Sequence, residues 1–262
     1  MPGADAPGII AAEDADALAE EASSLVMGWI VSAIREHGGA HVVLAGGGTP
    51  RKTHAAMAAA IRERDFPRDA VHWWFGDERW VPVSDAQSNE GMARQTLLGP
   101  AGIADHLIHS WGAGAGEPAD CASRYAQAMS GALGGRGPDV VMLGVGPDGH
   151  TASLFPGSTI ALPGGRELPM GPRFPDGSAA AAVRGGSLPG WRLTLSPGML
   201  GSARHVLFLA TGADKRDAVR RAVNGDPGTP AAWVRGMTTT FIVTRDVEWP
   251  ADTGHGPKIV IA

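Results

Sequence analysis

The chain has 262 residues, 44% hydrophobic and 19% charged, with a formal net charge of −5. These values fit a globular α/β protein large enough to bury a core, and the interspersed charges exclude a basic nucleic-acid surface. Cys121 is the single cysteine, which rules out an intrachain disulfide framework and any multi-cysteine metal site.

The N-terminus, MPGADAPGIIAAEDADALAEEA, is acidic and lacks the basic-then-apolar order of a secretory signal. No apolar run approaches the roughly 20 residues of a membrane span. A cytoplasmic location and no membrane contact are therefore expected. Leu18, Ala22, Leu25, Val26, Trp29, Ile30, Ala33 and Ile34 then recur at helical spacing, which predicts a long helix over 13–37 ended by Gly38-Gly39.

His41-Val42-Val43-Leu44-Ala45 reads as a strand covered on both faces, running into Gly46-Gly47-Gly48-Thr49-Pro50. Thr49 suits an N-cap and Pro50 the first helical position. The glycine loop admits two readings: backbone N–H groups holding a phosphate at a helix start, or a tight turn with no ligand. No Gly-Lys-Ser/Thr follows, so it is not a nucleotide-triphosphate loop.

Val71-His72-Trp73-Trp74-Phe75 is a second strand, followed by the charged run Asp77-Glu78-Arg79, read as a loop, and by a helix starting near Ser88-Asn89. Residues 106–111 read as a short strand and 117–133 as a helix. His106 and His109 would point to opposite faces of that strand and have no carboxylate at ligand spacing, so both read as structural rather than metal ligands.

Residues 139–144 form an apolar strand, then a turn rich in Gly, Pro and Asp, with His150-Thr151-Ala152-Ser153 as an expected helix start. Gly144-Val145-Gly146-Pro147-Asp148-Gly149 matches a dinucleotide-binding pattern, but the second strand with its terminal acid is missing about 20 residues on. No serine lies in G-x-S-x-G. His150, with Asp148 two residues before it, would sit at a helix N-terminus. The dipole there disfavours imidazolium, leaving either a general base or a turn-capping histidine. Ser153 reads as a first-turn cap.

The stretch 157–190 is dense in Gly and Pro and reads as a long loop or lid. Strand 192–195, a helix near 197–203, strand 205–210, the turn Thr211-Gly212-Ala213-Asp214-Lys215, a helix through Val219 and Val223, and strand 239–243 complete the alternation. The expectation is one domain spanning 1–262, with a Rossmann-like, mainly parallel sheet and helices on both faces. Four strand ends would then gather backbone N–H groups (46–49), an Arg with acids (77–79), a His (150) and a Lys (215) on one edge. Such a set suits a sugar phosphate.

GGGTP at 46–50, DERWV at 77–81 with SN at 88–89, LGVGPDGHTASLFPG at 143–157, RLTLS at 192–196 and ATGADK at 210–215 resemble the 6-phosphogluconolactonase family, in the family's order. The resemblance implies the fold shared with glucosamine-6-phosphate deaminase. It also implies hydrolysis of 6-phospho-D-glucono-1,5-lactone to 6-phosphogluconate in the oxidative pentose phosphate pathway, without metal or organic cofactor. His150 becomes the catalytic histidine, with Arg79 and Asp148 as its catalytic companions. Gly47, Gly48, Thr49, Arg79 and Lys215 would surround the phosphate, while Asp77, Asn89 and Arg192 would contact the substrate. A small-molecule sugar phosphate lactone is the only partner implied, on a monomer or weak homodimer. The rival readings are an isomerising deaminase, whose post-histidine segment supplies a carboxylate where this chain has Thr151-Ala152-Ser153-Leu154-Phe155, and a non-catalytic sugar-phosphate sensor.

Overall fold

The computed structural model describes residues 6–63, 65–162, 164–184, 190–247 and 259–261. In chain order these form β1 (Gly8–Ala12), α1 (Ala15–His37), β2 (Ala40–Leu44), α2 (Gly48–Glu63), β3 (Val71–Phe75), β4 (Asp77–Arg79), α3 (Asn89–Ala93), α4 (Pro118–Leu133) and β5 (Val140–Gly144). There follow β6 (Thr159–Ala161), β7 (Glu167–Pro169), β8 (Ala180–Arg184), β9 (Arg192–Leu195), α5 (Pro197–Gly201), β10 (His205–Ala210), α6 (Arg216–Val223), β11 (Thr238–Thr244) and β12 (Ile259–Ile261).

Seven strands make a parallel sheet in the order β12-β1-β11-β10-β5-β2-β3. Its central strands are short, nearly continuous apolar runs because both faces are covered. Trp73, Trp74 and Phe75 of β3 and Phe208 and Phe241 of β10 and β11 are fully buried. Each aromatic ring of this kind removes ~150–250 Å² from water, the largest contributions any single residues make to the core.

Helix α1 begins where Asp14 accepts the N–H groups of Asp16 and Ala17 at 2.9 Å, and ends at Gly38 in the left-handed conformation (φ 85°). At 23 residues it is long and apolar enough to cross a membrane by length and composition, contrary to the sequence expectation. Leu18, Ala22, Val26 and Ile30 are instead buried where α1 packs on α2 and the sheet.

Three other expectations change. Residues 77–79 are a strand, not a loop: β4 pairs antiparallel with β9 in a second sheet ordered β4-β9-β8-β6-β7. The segment 157–190, read as a loop or lid, contributes three of those strands, β6, β7 and β8. Gly and Pro punctuate it because antiparallel strands of three to five residues need a tight turn at each end. The buried Ala180–Val183 run lets β8 lie directly on α4. Residues 106–111 form no strand; a single 3₁₀ turn over Asp105–Leu107 leads to one parallel bridge between Ile108 and Trp73.

Candidate functional site

The strands β10, β5, β2 and β3 are neighbours in the parallel sheet, and their carboxyl ends open onto a cleft of about 460 Å³. Ligands collect at this edge in open α/β sheets because loops with free backbone groups and helix starts meet there. Of the residues singled out in the sequence, Gly47, Gly48, Thr49, Asp77, Arg79, Asn89, His150, Arg192 and Lys215 all line this cleft. Asp148 does not; it reaches the cleft only through His150.

At the end of β2 the chain turns at Gly47 (φ 108°) and α2 starts at Gly48, ahead of the Pro50 start that the sequence implied, with Arg51 N–H bonded to the Gly47 carbonyl at 3.1 Å. Thr49 is therefore inside the first turn and does not cap it. Its hydroxyl bonds the Thr211 hydroxyl at 2.8 Å, tying the loop after β2 to the loop after β10. The amides of a helix's first turn have no intrahelical acceptor, so this corner presents donors to an anion. Lys215 closes the corner from a 3₁₀ turn over Ala213–Lys215, with Asp214 3.4 Å from its ammonium. Lys52, one turn into α2, also lines the cleft and pairs with Asp16 at 2.6 Å.

On the opposite wall, β4 and β9 place Arg79 directly across from Arg192. Like charges in register repel unless an anion offsets them. Asp77 supplies one: burial holds the Arg192 pKa below its usual value, and the Asp77 carboxylate acts against that. Each oxygen of the Asp77 carboxylate is itself held, Oδ2 accepting Ser153 Oγ–H at 2.6 Å and Oδ1 accepting Asn89 Nδ2 at 3.0 Å. Arg79 donates Nη1 to the Gln87 carbonyl at 2.5 Å, and its buried Nε has no protein partner. A guanidinium so placed has donors left for a substrate.

His150 corrects the sequence reading most directly. No helix follows it: residues 151–154 are closed by a bridge between Thr151 and Leu154, and Ala152 sits at φ 47°, which breaks any helical continuation. The helix dipole is therefore not what prepares this ring. Asp148 prepares it instead, with Oδ1 2.5 Å from His150 Nδ1 and 3.1 Å from the His150 backbone N. Burial raises the Asp148 pKa, but the bonds from the His150 backbone and ring outweigh that and hold it below the usual carboxylate value. A carboxylate only accepts, so in the neutral ring Nδ1 carries the proton and Nε2 keeps its lone pair. The Phe155 ring packs on the imidazole with centroids 4.3 Å apart, and a Cβ on Gly146 would stand 2.0 Å from Nδ1. Gly146 thus serves this close approach rather than a dinucleotide.

Ser153, read as a helix cap, is fully buried and joins the histidine loop to Asp77 and, at 3.4 Å, to Arg192. Thr211, Phe155 and Glu78 carry no role in the sequence reading, and Ser153 only a capping one. Only their membership in the motifs around His150, Asp77 and Lys215 could have flagged them. Among the described residues no group of His, Cys, Asp and Glu is placed to hold a metal ion.

The chain matches the family model described as glucosamine-6-phosphate isomerases/6-phosphogluconolactonase over residues 13–243. It is 33% identical to a 6-phosphogluconolactonase of Streptomyces coelicolor across 90% of this chain and 91% of that one. It is 36% identical to one from Caulobacter vibrioides across 82% and 86%. Among solved structures, a 6-phosphogluconolactonase from Thermotoga maritima superimposes with a TM-score of 0.76 at 26% identity, covering 91% of this chain and 99% of that one. A monomeric glucosamine-6-phosphate deaminase superimposes with a TM-score of 0.72 at 19% identity, a likeness of fold. With matches of this extent in both sequence and architecture, the chain belongs to the glucosamine-6-phosphate isomerase/6-phosphogluconolactonase family.

Proposed function

We infer that this chain hydrolyses 6-phospho-D-glucono-1,5-lactone to 6-phosphogluconate, the lactonase step of the oxidative pentose phosphate pathway. The observation that carries the reading is the Asp148–His150 pair, which leaves an imidazole lone pair on a cleft whose other walls are cationic or rich in backbone donors. The phosphate is assigned to the corner made by Gly47, Gly48, Thr49 and Lys215, and the lactone ring to the space between His150 and the Arg79–Arg192 pair.

In this arrangement His150 Nε2 takes a proton from water as the water oxygen bonds to the lactone C1, and the carbonyl electrons move onto its oxygen. Arg79 and nearby backbone N–H groups stabilise that oxyanion. When the carbonyl reforms, the bond from C1 to the ring oxygen breaks, and the protonated His150 delivers its proton to the departing oxygen. The net change is addition of one water, and the acid product then ionises. Asp148 acts by holding the ring and its tautomer, not by touching the substrate. The same residues supply each step without a metal or organic cofactor.

The isomerising deaminase reading is disfavoured because Thr151-Ala152-Ser153-Leu154 brings no carboxylate to the cleft behind His150. A sensor would have no use for the Asp148–His150 pair. One experiment separates the three: purified protein is offered freshly made lactone and, separately, glucosamine 6-phosphate, while acid and ammonia release are followed. Acid release well above the spontaneous opening of the lactone, with no ammonia, is expected. Ammonia release, or neither product, would overturn the assignment.

A further inference from the structure

We infer that Glu78, which takes no part in the chemistry above, is the positioning residue that locks Asp77, Arg79 and Asn89 into the cleft wall; this rests on the lactonase reading. In a strand successive side chains alternate faces. Asp77 and Arg79 of β4 line the cleft, and Glu78 between them does not. Its carboxylate turns instead into the start of α3, where it is 2% exposed.

Both carboxylate oxygens are used twice. Oε1 accepts the backbone N–H of Arg79 at 2.8 Å and of Asn89 at 2.7 Å. Oε2 accepts the Ser88 hydroxyl at 2.9 Å and the Glu90 N–H at 2.8 Å. Four donors from two cleft segments therefore converge on one side chain. Burial holds the Glu78 pKa above its usual value, and these four bonds act against that.

What the carboxylate fixes then propagates to the site. With its backbone held by Glu78, Asn89 spends its Nδ2 on the Asp77 carbonyl (2.9 Å) and carboxylate (3.0 Å). Its amide fills the space left by Gly46, where a Cβ would meet Asn89 Oδ1 at 1.8 Å. Arg79 is tied to the same segment through Gln87. Loss of the Glu78 acceptors would therefore move a carboxylate, a guanidinium and an amide together, and through Asn89 would also disturb the glycine loop.

An amide cannot replace this carboxylate. Whichever way a glutamine is set, its NH₂ faces a backbone N–H, that of Asn89 and Arg79 or that of Glu90, so two donors oppose each other. Glu78→Gln in the full chain is therefore expected to raise KM for the lactone about fivefold or more, and to lower kcat as well because Arg79, which meets the oxyanion, moves with it. In an Asn89→Ala background the same change should raise KM by a smaller factor, because the part that runs through Asn89 is already lost.

A reduced folded fraction would lower kcat and leave KM alone, so a loss confined to kcat overturns the proposal. Independent, multiplicative effects of the two substitutions also overturn it. If Glu78→Gln does not fold, Ser88→Ala, which removes one of the four donors together with the cap on the Gly91 N–H, decides in its place. It should give a smaller rise in KM that shrinks in the Asn89→Ala background, and an undiminished rise there, or no rise at all, sinks the idea. An inactive wild-type protein would instead overturn the lactonase reading.

Discussion

At His150, the proton-accepting nitrogen is selected by a neighbour two residues back in the chain. Asp148 Oδ1, 2.5 Å from Nδ1, fixes which nitrogen carries the proton, and Phe155 and Gly146 fix where the ring lies. Asp148→Asn keeps the shape but offers the ring a group that both donates and accepts, so the tautomer is no longer dictated. Because Asp148 is partly exposed, turnover is expected to fall on the order of 10–10²-fold, less than for a buried pair of this kind. Steady-state kinetics with little change in KM would support this, and an unchanged kcat would show that Asp148 only shapes the turn.

The elements that carry the site divide sharply in how legible they were. Strands β2, β3, β5 and β10 declare themselves as apolar runs of five or six residues, and the chemistry-bearing residues stand just past their ends, so one edge could be assembled from the sequence. Strand β4 was hidden because Asp-Glu-Arg has no apolar signature; its pairing with β9 is long-range and depends on tertiary context. Strands β6, β7 and β8 were hidden by their length and by the glycines between them. The absent helix after His150 was misread because Thr, Ala and Ser suit a first turn, whereas Ala152 adopts a positive φ that no sequence pattern announces. At this scale Gly146→Ala is a clean test. Its Cβ would lie 2.0 Å from the imidazole, so the ring or the strand end must shift. A displacement near 1 Å costs roughly 10²-fold in rate. Activity should therefore fall far more than the melting temperature, and parallel losses of both would argue for a merely folded-state role.

For the whole molecule, histidines away from the cleft set the response to acid. Burial, with repulsion from His72 for His41 and His109, lowers the pKa of His41, His54 and His109 from 6.5 to about 4. The unfolded chain therefore binds more protons than the folded one between these values, and stability is lost as pH falls from 6.5 through about 4. Each such group contributes up to ~1.4 kcal/mol per pH unit in that window. Denaturant midpoints at pH 7, 6 and 5 should decline with steepening slope, whereas a flat profile would mean that these rings are solvated. His41 and His72 lie near the start of β2 and β3, at the amino end of the sheet, opposite the cleft. The most direct measurement remains the initial rate of acid release from freshly prepared 6-phospho-D-glucono-1,5-lactone, wild type against His150→Ala, with the spontaneous rate subtracted. A drop of about 10²–10⁴-fold in kcat with binding of inorganic phosphate retained is expected; a variant within about twofold of wild type would contradict general-base catalysis by His150.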